Sequence, residues 1–453
     1  MRGNSINITH LLFRDSSLSL FIRIGGLVLQ IVVFALIARA FPLEIVGIYA
    51  IINTGWILVR FIGPLGYNQV ALRFVSQYFE KNEYGKSIAF ANHVTKRIFW
   101  FSSVITVALI ILSIVMIILF PAFTANAWLT FLFALGLPAY ALSGLYIALL
   151  RAHGDILHAQ FPDAILVQFI IGLGALLLLA LNIIDIRLLL IAQLCAIWVV
   201  LAIYIWLWRR VIIGDSAKKL DKSEQQNINA MARSVLGGLS ATALAASAPV
   251  LLISVTLGSA AAGLMEAARR FGILASLTTW AVGISVSPLM ARAHYRDDKK
   301  GMQSLFTLAS LLQTLPAFTI FIGLLIFGQW LLIMLLGAEF EAAYQVMILL
   351  ALATMINASG ATASSYLLMV GGEKIVLYFS LASLVIIIIG IPLAAMVSGL
   401  IGAGLVLVLS SIIRDLGMTF FVALRHDMRP GIWSLTELKR IRGILPQIKK
   451  IMR

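Results

Sequence analysis

A run of roughly 17–25 consecutive apolar residues is long enough to cross a bilayer as a helix, and this chain is little more than a succession of such runs. They lie at 18–40, 45–72, 98–120, 127–150, 165–181, 188–208, 235–257, 263–290, 305–327, 344–369, 375–396 and 400–424. Each is continuously apolar, rather than alternating over about ten residues, which excludes an outer-membrane barrel. With 61% hydrophobic and 12% charged residues, the chain has too little polar surface to coat a soluble globule. The expected fold class is an all-α integral membrane protein with about 12 transmembrane helices.

The net charge of +15 raises the question of nucleic acid, and its distribution answers it. Of the 34 Lys and Arg, 27 fall in the arm, the tail and the loops of one side, five lie within spans, and the opposite loops hold only Arg39 and Arg187. The positive-inside rule turns that excess into topology: a multi-pass protein with both termini cytoplasmic, and no nucleic-acid partner. Ala38-Arg39-Ala40 resembles a leader-peptide cleavage site, but the apolar run before it is too long and Arg23 interrupts it, so a retained first helix is expected. The single Cys195 sits inside a span and reads as packing.

The chain repeats itself. Gly47 aligns with Gly263, Gly85 with Gly301, and the charged turn at 80–86 with that at 296–301. Two six-helix lobes follow, 1–213 and 231–425, with a polar cytoplasmic linker at 214–230 and a basic amphipathic tail at 426–453 that suits the anionic inner leaflet. Six is even, so the copies share one orientation, a parallel pseudo-two-fold repeat around a central cavity where a substrate would bind.

Charges inside the spans mark where to look. The run 263–290 carries Glu266, Arg269 and Arg270, and a guanidinium in hydrocarbon must turn either to a watery, protein-lined chamber or to a counter-ion such as Glu266. Arg23 and Arg60 interrupt two further spans. None of these arginines matches its counterpart in the repeat: Arg60 aligns with Ser276, Arg270 with Thr54, Arg269 with Asn53 and Arg23 with Leu239. Fold-maintaining residues tend to match, so Arg23, Arg60, Arg270 and Arg269 are the expected substrate-binding residues, with Glu266, Asp163, Arg414 and Asp415 as secondary polar positions. Arginine forks fit phosphate oxygens bidentately, so the implied ligand is an anionic, phosphorylated amphiphile. No hydrolytic constellation, zinc spacing or P-loop stands out, no catalytic residue or metal site is expected, and no cofactor is called for.

At Pro42-Leu43-Glu44-Ile45-Val46-Gly47-Ile48-Tyr49, Leu336-Gly337-Ala338-Glu339-Phe340 followed by Ala343 and Val346, Gly371-Gly372-Glu373-Lys374 and Gly399-Leu400-Ile401-Gly402-Ala403-Gly404, the chain resembles the bacterial polysaccharide (Wzx-like) flippases of the multidrug/oligosaccharidyl-lipid/polysaccharide exporter superfamily. The resemblance runs to about residue 424. It implies movement of an undecaprenyl-diphosphate-linked oligosaccharide across the inner membrane by alternating access. Membrane lipids, a polysaccharide polymerase and a chain-length regulator would be the partners. Members similar to the lipid II flippase carry cavity arginines on helices one, two and eight, which fall here on Arg23, Arg60 and Arg270. The sequence has no counterpart of their two further C-terminal helices, which points to an O-antigen, capsule or exopolysaccharide unit.

Two other readings stand beside it. A multidrug-and-toxin-type cation antiporter shares the superfamily architecture but resembles its relatives in having acidic residues within the N-terminal lobe, where this chain has Arg23 and Arg60. A membrane polymerase or glycosyltransferase predicts a substantial outer loop, and the outer loops are short. The coupling ion, H+ or Na+, and the sugar are left open.

Overall fold

The structure, a computed structural model, describes residues 5–119, 124–212, 220–276 and 299–426, with single positions between 279 and 296 and Met428. It divides into two compact units, Met1–Ser247 and Ala248–Arg453. All regular structure among the described residues is helical.

The first unit contains α1 (Ser5–Ala40), α2 (Leu43–Ile62), α3 (Tyr67–Glu80), α4 (Tyr84–Leu119), α5 (Thr124–His153), α6 (Ile156–Phe161), α7 (Val167–Ala180) and α8 (Ile186–Val211), and α9 (Lys222–Leu257) crosses the boundary between the units. A π-helical segment, Pro162–Leu166, joins α6 to α7. The centre of the unit is α5, which packs against α2, α3, α4 and α8. Of the residues in its most apolar stretch 78% are buried, against 17% in α4, so α5 is the core helix and α4 the one with an apolar outer face.

The apolar run 45–72 is not one span. It breaks after Ile62, where Pro64 cannot donate a backbone hydrogen bond, Leu65 takes φ 54° and Gly66 φ 81°. Hydropathy averages over such a break; backbone chemistry does not. Beyond it α3 is amphipathic, burying Tyr67, Val70, Ala71, Val75 and Tyr78 along one side. The expected linker at 214–230 also differs. Its residues 214–219 lie outside the described part, and from Lys222 onward it is the helical start of α9. These turns are held by α3: the Tyr78 hydroxyl donates to Glu224 Oε1 at 2.6 Å, and the Tyr67 hydroxyl to Asn229 Oδ1 at 2.7 Å. Burial first, and then the bond to Glu224, raise the pKa of Tyr78, so it remains a donor at neutral pH.

The second unit contains α10 (Ser259–Gly272), which runs into a 3-10 turn at Ile273–Ser276, then α11 (Lys299–Leu336), α12 (Tyr344–Met369), α13 (Glu373–Ser411) and α14 (Gly417–His426). Here α12 is central, packing on α10, α11 and α13. Within α13, Ser398 and Gly399 leave helical geometry, with Gly399 at φ 60°. A Cβ on Gly402 would meet the Ala394 carbonyl at 2.3 Å and one on Gly390 would meet Val406 at 2.8 Å, so the two limbs fold back on each other about residue 398. That bend separates the expected spans 375–396 and 400–424. A second π segment, Ile412–Leu416, leads into α14.

Ten helical stretches among the described residues are long and apolar enough to cross a membrane. One of them, Glu373–Arg425, contains the fold-back and answers to two expected spans, and 263–290 is described continuously only as far as Ser276. The architecture is the expected all-α, multi-pass membrane class. The amphipathic stretch expected in the tail lies outside the described residues.

Gly66 and Gly154 test the break after α2. Both take positive φ, which costs any other residue about 1–2 kcal/mol. A Cβ on Gly66 would stand 2.3 Å from the Ala232 carbonyl of α9, while one on Gly154 meets nothing within 4 Å. Gly66→Ala is expected to lower the thermal midpoint of the purified protein clearly more than Gly154→Ala. Equal shifts would mean that α9 does not seat on this turn.

Candidate functional site

The intramembrane charges gather around three carboxylates. In the first unit, the π segment carries Asp163, and α1 approaches that segment closely because Gly26 leaves room there: a Cβ at Gly26 would lie 2.9 Å from Ala164. Asp163 accepts a hydrogen bond from a terminal nitrogen of Arg60 on the last turn of α2. This turn is pressed against α5, with Gly144 facing the Arg60 carbonyl and Gly63 facing Ala141. The close approach lays the Arg60 guanidinium over the Tyr140 ring, 5.1 Å from its centroid, a cation–π contact in a buried setting.

Behind Arg60 lies a polar and aromatic wall. Trp56 stacks on Tyr140 at 5.3 Å and on Phe133 at 6.1 Å, and its indole N–H donates to the Phe133 carbonyl at 3.0 Å. Gln193 of α8 donates to the Tyr140 hydroxyl at 3.0 Å and to Asn53 Oδ1 at 2.9 Å. Among the described residues, Arg60 Nε, Gln193 Oε1 and Thr54 Oγ1 are buried without a hydrogen-bond partner. Buried polar atoms are nearly always satisfied, so each marks a point where a water or ligand atom belongs.

Arg151, just past the apolar run 127–150, reads in the sequence as one of the loop charges that set topology. It stands on the last turn of α5, ahead of the Gly154 turn, close enough to Asp163 to be attracted and to Arg23 to be repelled. Arg151 is exposed as a residue, and its side chain makes no hydrogen bond to a described residue. Asp163 thus binds Arg60 directly, with Arg151 within its electrostatic range and Arg23 of α1 within that of Arg151. The usable signal in the sequence was position: Arg151, like Arg60, ends a helix that runs in the same direction.

In the second unit the counter-ion alternative holds. Glu266 is fully buried and binds Arg269 through both carboxylate oxygens, at 2.8 and 2.9 Å, and Arg270 at 2.9 Å. The spacings are three and four residues along one helix, the natural reach of side-chain pairs. Asp415, in the second π segment, takes a bidentate pair of bonds from Arg414, both at 2.9 Å, and one from Asn357 at 3.2 Å. Thr354, one turn earlier on α12, donates to the Gly272 carbonyl at 2.9 Å, so α12 links the end of α10 to the π segment. Three of the primary candidates therefore pair with secondary ones, Arg60 with Asp163 and Arg269 and Arg270 with Glu266, while the secondary Arg414 and Asp415 pair with each other.

Removing one member of a buried ion pair leaves the other uncompensated and costs up to about 3–5 kcal/mol. Asp163→Leu alone is expected to destabilise the protein in thermal unfolding, and Arg60→Leu added to it to recover much of the loss. Additive losses in this double-mutant cycle would show that the pair carries no coupling.

No protein-family model and no curated protein matches the sequence. Solved structures do match. An inward-facing multidrug resistance MATE family transporter of the MOP superfamily matches over 90% of this chain and 99% of its own, at TM-score 0.69 and 12% identity. A point mutant of a Vibrio cholerae MATE transporter matches over 93% and 97%, at 0.65 and 16%. A MOP superfamily transporter from Pyrococcus furiosus, described as having a binding pocket of reverse polarity that suggests a different function, matches over 91% and 94%, at 0.60 and 11%. The chain shares the fold of these transporters.

Proposed function

We propose that the protein is a secondary transporter that works by alternating access, and that its first unit receives an anionic amphiphile. The observation that carries the substrate's sign is the basic setting of Asp163: Arg60 binds the carboxylate, Arg151, an exposed residue whose side chain makes no hydrogen bond to a described residue, lies within its electrostatic range, and Arg23 lies within that of Arg151. A guanidinium fork with free donors is built for phosphate or carboxylate oxygens. The wall of Tyr140, Gln193 and Asn53, with its unsatisfied polar atoms, supplies neutral groups suited to hydroxyl-rich chemistry.

The finer reading is an undecaprenyl-diphosphate-linked oligosaccharide flippase of the bacterial inner membrane, with cytoplasmic termini and a polymerase and chain-length regulator as partners. It is supported by the sequence motifs and by the basic cluster. Arg60 and Arg23 keep their expected role, now joined by Arg151, whereas Arg269 and Arg270 act first as counter-ions of Glu266. Energy would come from an ion gradient or the membrane potential, worth about 2.3 kcal/mol per charge per 100 mV.

The second reading is the multidrug-and-toxin-type cation antiporter, and the structural comparisons favour it over the flippase, since the matched structures include multidrug resistance and MATE transporters. In that reading Asp163 is the ion-responsive carboxylate and Arg60 its competitor. The basic surroundings of Asp163 speak against a cationic drug, and the Pyrococcus furiosus transporter is described as a member of the superfamily with reversed pocket polarity. Transporter rather than enzyme is common to both readings.

The deciding experiment runs the chain in two strains at equal membrane abundance, one deficient in a surface-polysaccharide flippase and one stripped of multidrug exporters. Restored export that falls at least about tenfold in Arg60→Ala and Arg151→Ala, the loss of one charged hydrogen bond each, is the expected result. Resistance to cationic dyes without polysaccharide export would overturn the anionic reading in favour of the antiporter.

A further inference from the structure

Where α3, α4 and α9 meet, the first unit has an open cavity of about 310 Å³ lined by Tyr67, Asn229 and the exposed Arg97 and Arg233. It lies among residues that neither reading of the transport site uses. Its chemistry is one-sided: two guanidinium groups, a phenol and an amide, with no carboxylate in the lining. Arg60, Arg269, Arg270 and Arg414 are each paired with an Asp or Glu, whereas neither Arg97 nor Arg233 forms an ion pair among the described residues.

The bonds within the lining orient the donors instead of consuming them. Arg97 donates one N–H to the Tyr67 hydroxyl at 2.9 Å, that hydroxyl donates to Asn229 Oδ1 at 2.7 Å, and Arg233 Nε donates to the Asn229 carbonyl at 3.3 Å. His93 on α4 has a buried Nε2 with no partner among the described residues. Each guanidinium has five N–H donors and uses one on these neighbours, so most of both forks stay available. A volume at the lower end of small-ligand pockets, ~300–1,000 Å³, accommodates more than a bare ion.

Location narrows the ligand further. Arg97 immediately precedes the outer apolar band of α4, which opens with exposed Phe99, Trp100 and Phe101. Arg233 stands two residues before the expected apolar run 235–257. Exposed aromatic residues beside basic ones are the signature of headgroup depth at a membrane interface. We infer that this cavity is a binding site for a phosphate-bearing group, a phospholipid headgroup or a soluble phosphomonoester, clamped by Arg97 of α4 and Arg233 of α9 with Tyr67 and Asn229 as positioning residues. An occupant would bridge α4 to the start of α9, the helix that continues into the second unit.

The test is a thermal-shift titration of the full chain in phosphatidylcholine nanodiscs. Two probes are compared: phosphatidylglycerol built into the disc, and glycerol 3-phosphate added to the buffer. Stabilisation of the wild type by either probe, with apparent affinity reduced at least about tenfold for each arginine lost in Arg97→Gln, Arg233→Gln and the double variant, is expected. Response to phosphatidylglycerol alone identifies a lipid; response to glycerol 3-phosphate identifies a soluble ligand. Arg233→Gln by itself keeps the test decisive should Arg97→Gln disturb the Tyr67 bond, because Arg233 contacts only a carbonyl of its own helix. No stabilisation by either probe, or equal stabilisation of the arginine variants, overturns the site without bearing on the Asp163 cluster.

Discussion

In an apolar chain a carboxylate is the only strong anchor a guanidinium can find, and the pairing of these two groups organises both units. Hydrocarbon offers no water to solvate a lone charge, so each acid must be placed where an arginine can reach it. Two of the three acids sit in π-helical segments, Asp163 in the first unit and Asp415 in the second. A π segment adds a residue to the turn and redirects the side chains after it, and such segments are frequent at functional positions. Each is covered by a glycine of a neighbouring helix. A Cβ on Gly26 would collide with Ala164, and one on Gly360 would stand 2.7 Å from the Asp415 carbonyl. Close helix approach through small residues is the main source of packing specificity where burial from water contributes little. The ion pairs and the glycine contacts are thus parts of the same local construction.

Hydropathy made the class and most of the spans legible, because length and apolarity are additive properties of a segment. What it obscured was decided by single residues. The run 45–72 is apolar throughout, yet Pro64, Leu65 and Gly66 end one helix and start another of different character. The polar start of α9 reads as a linker, but its residues find partners in Tyr67 and Tyr78 and so remain helical. The bend at Gly399 was readable, since a glycine-rich stretch separated two apolar runs, and its φ of 60° is one that glycine tolerates best.

The candidate site was legible by residue type and not by role. Arg60, Asp163, Glu266, Arg269, Arg270, Arg414 and Asp415 all stand out as charges in apolar surroundings, but sequence distance hides that Arg60 meets Asp163, 103 positions away. Arg151 was hidden by the opposite error, since a charge near a loop looks like topology. Asn53, Tyr140 and Gln193 carry no charge and sit in apolar spans, where a lone polar residue gives no indication of its partners.

The repeat acquires a different meaning once the pairs are known. Arg269 and Arg270 align with Asn53 and Thr54, and the mismatch suggested that the arginines serve a ligand. Their counter-ion Glu266 lies within the same helical turn, however, so this triad satisfies itself and can be retained for structure alone. In the first unit the equivalent position, Asn53, joins an uncharged network through Gln193 to Tyr140, and the charges above it come from four separate helical segments, carrying Arg23, Arg60, Arg151 and Asp163. A triad closed within one helix keeps its geometry when that helix moves as a body. A cluster assembled from several elements changes its internal distances whenever any of them shifts, and with them, on the anionic reading proposed above, the balance between the Arg60–Asp163 bond and an incoming anion. Coupling between substrate and conformation requires a differential interaction of this kind, and of the charge groups described it is the one around Asp163 that is built to supply it.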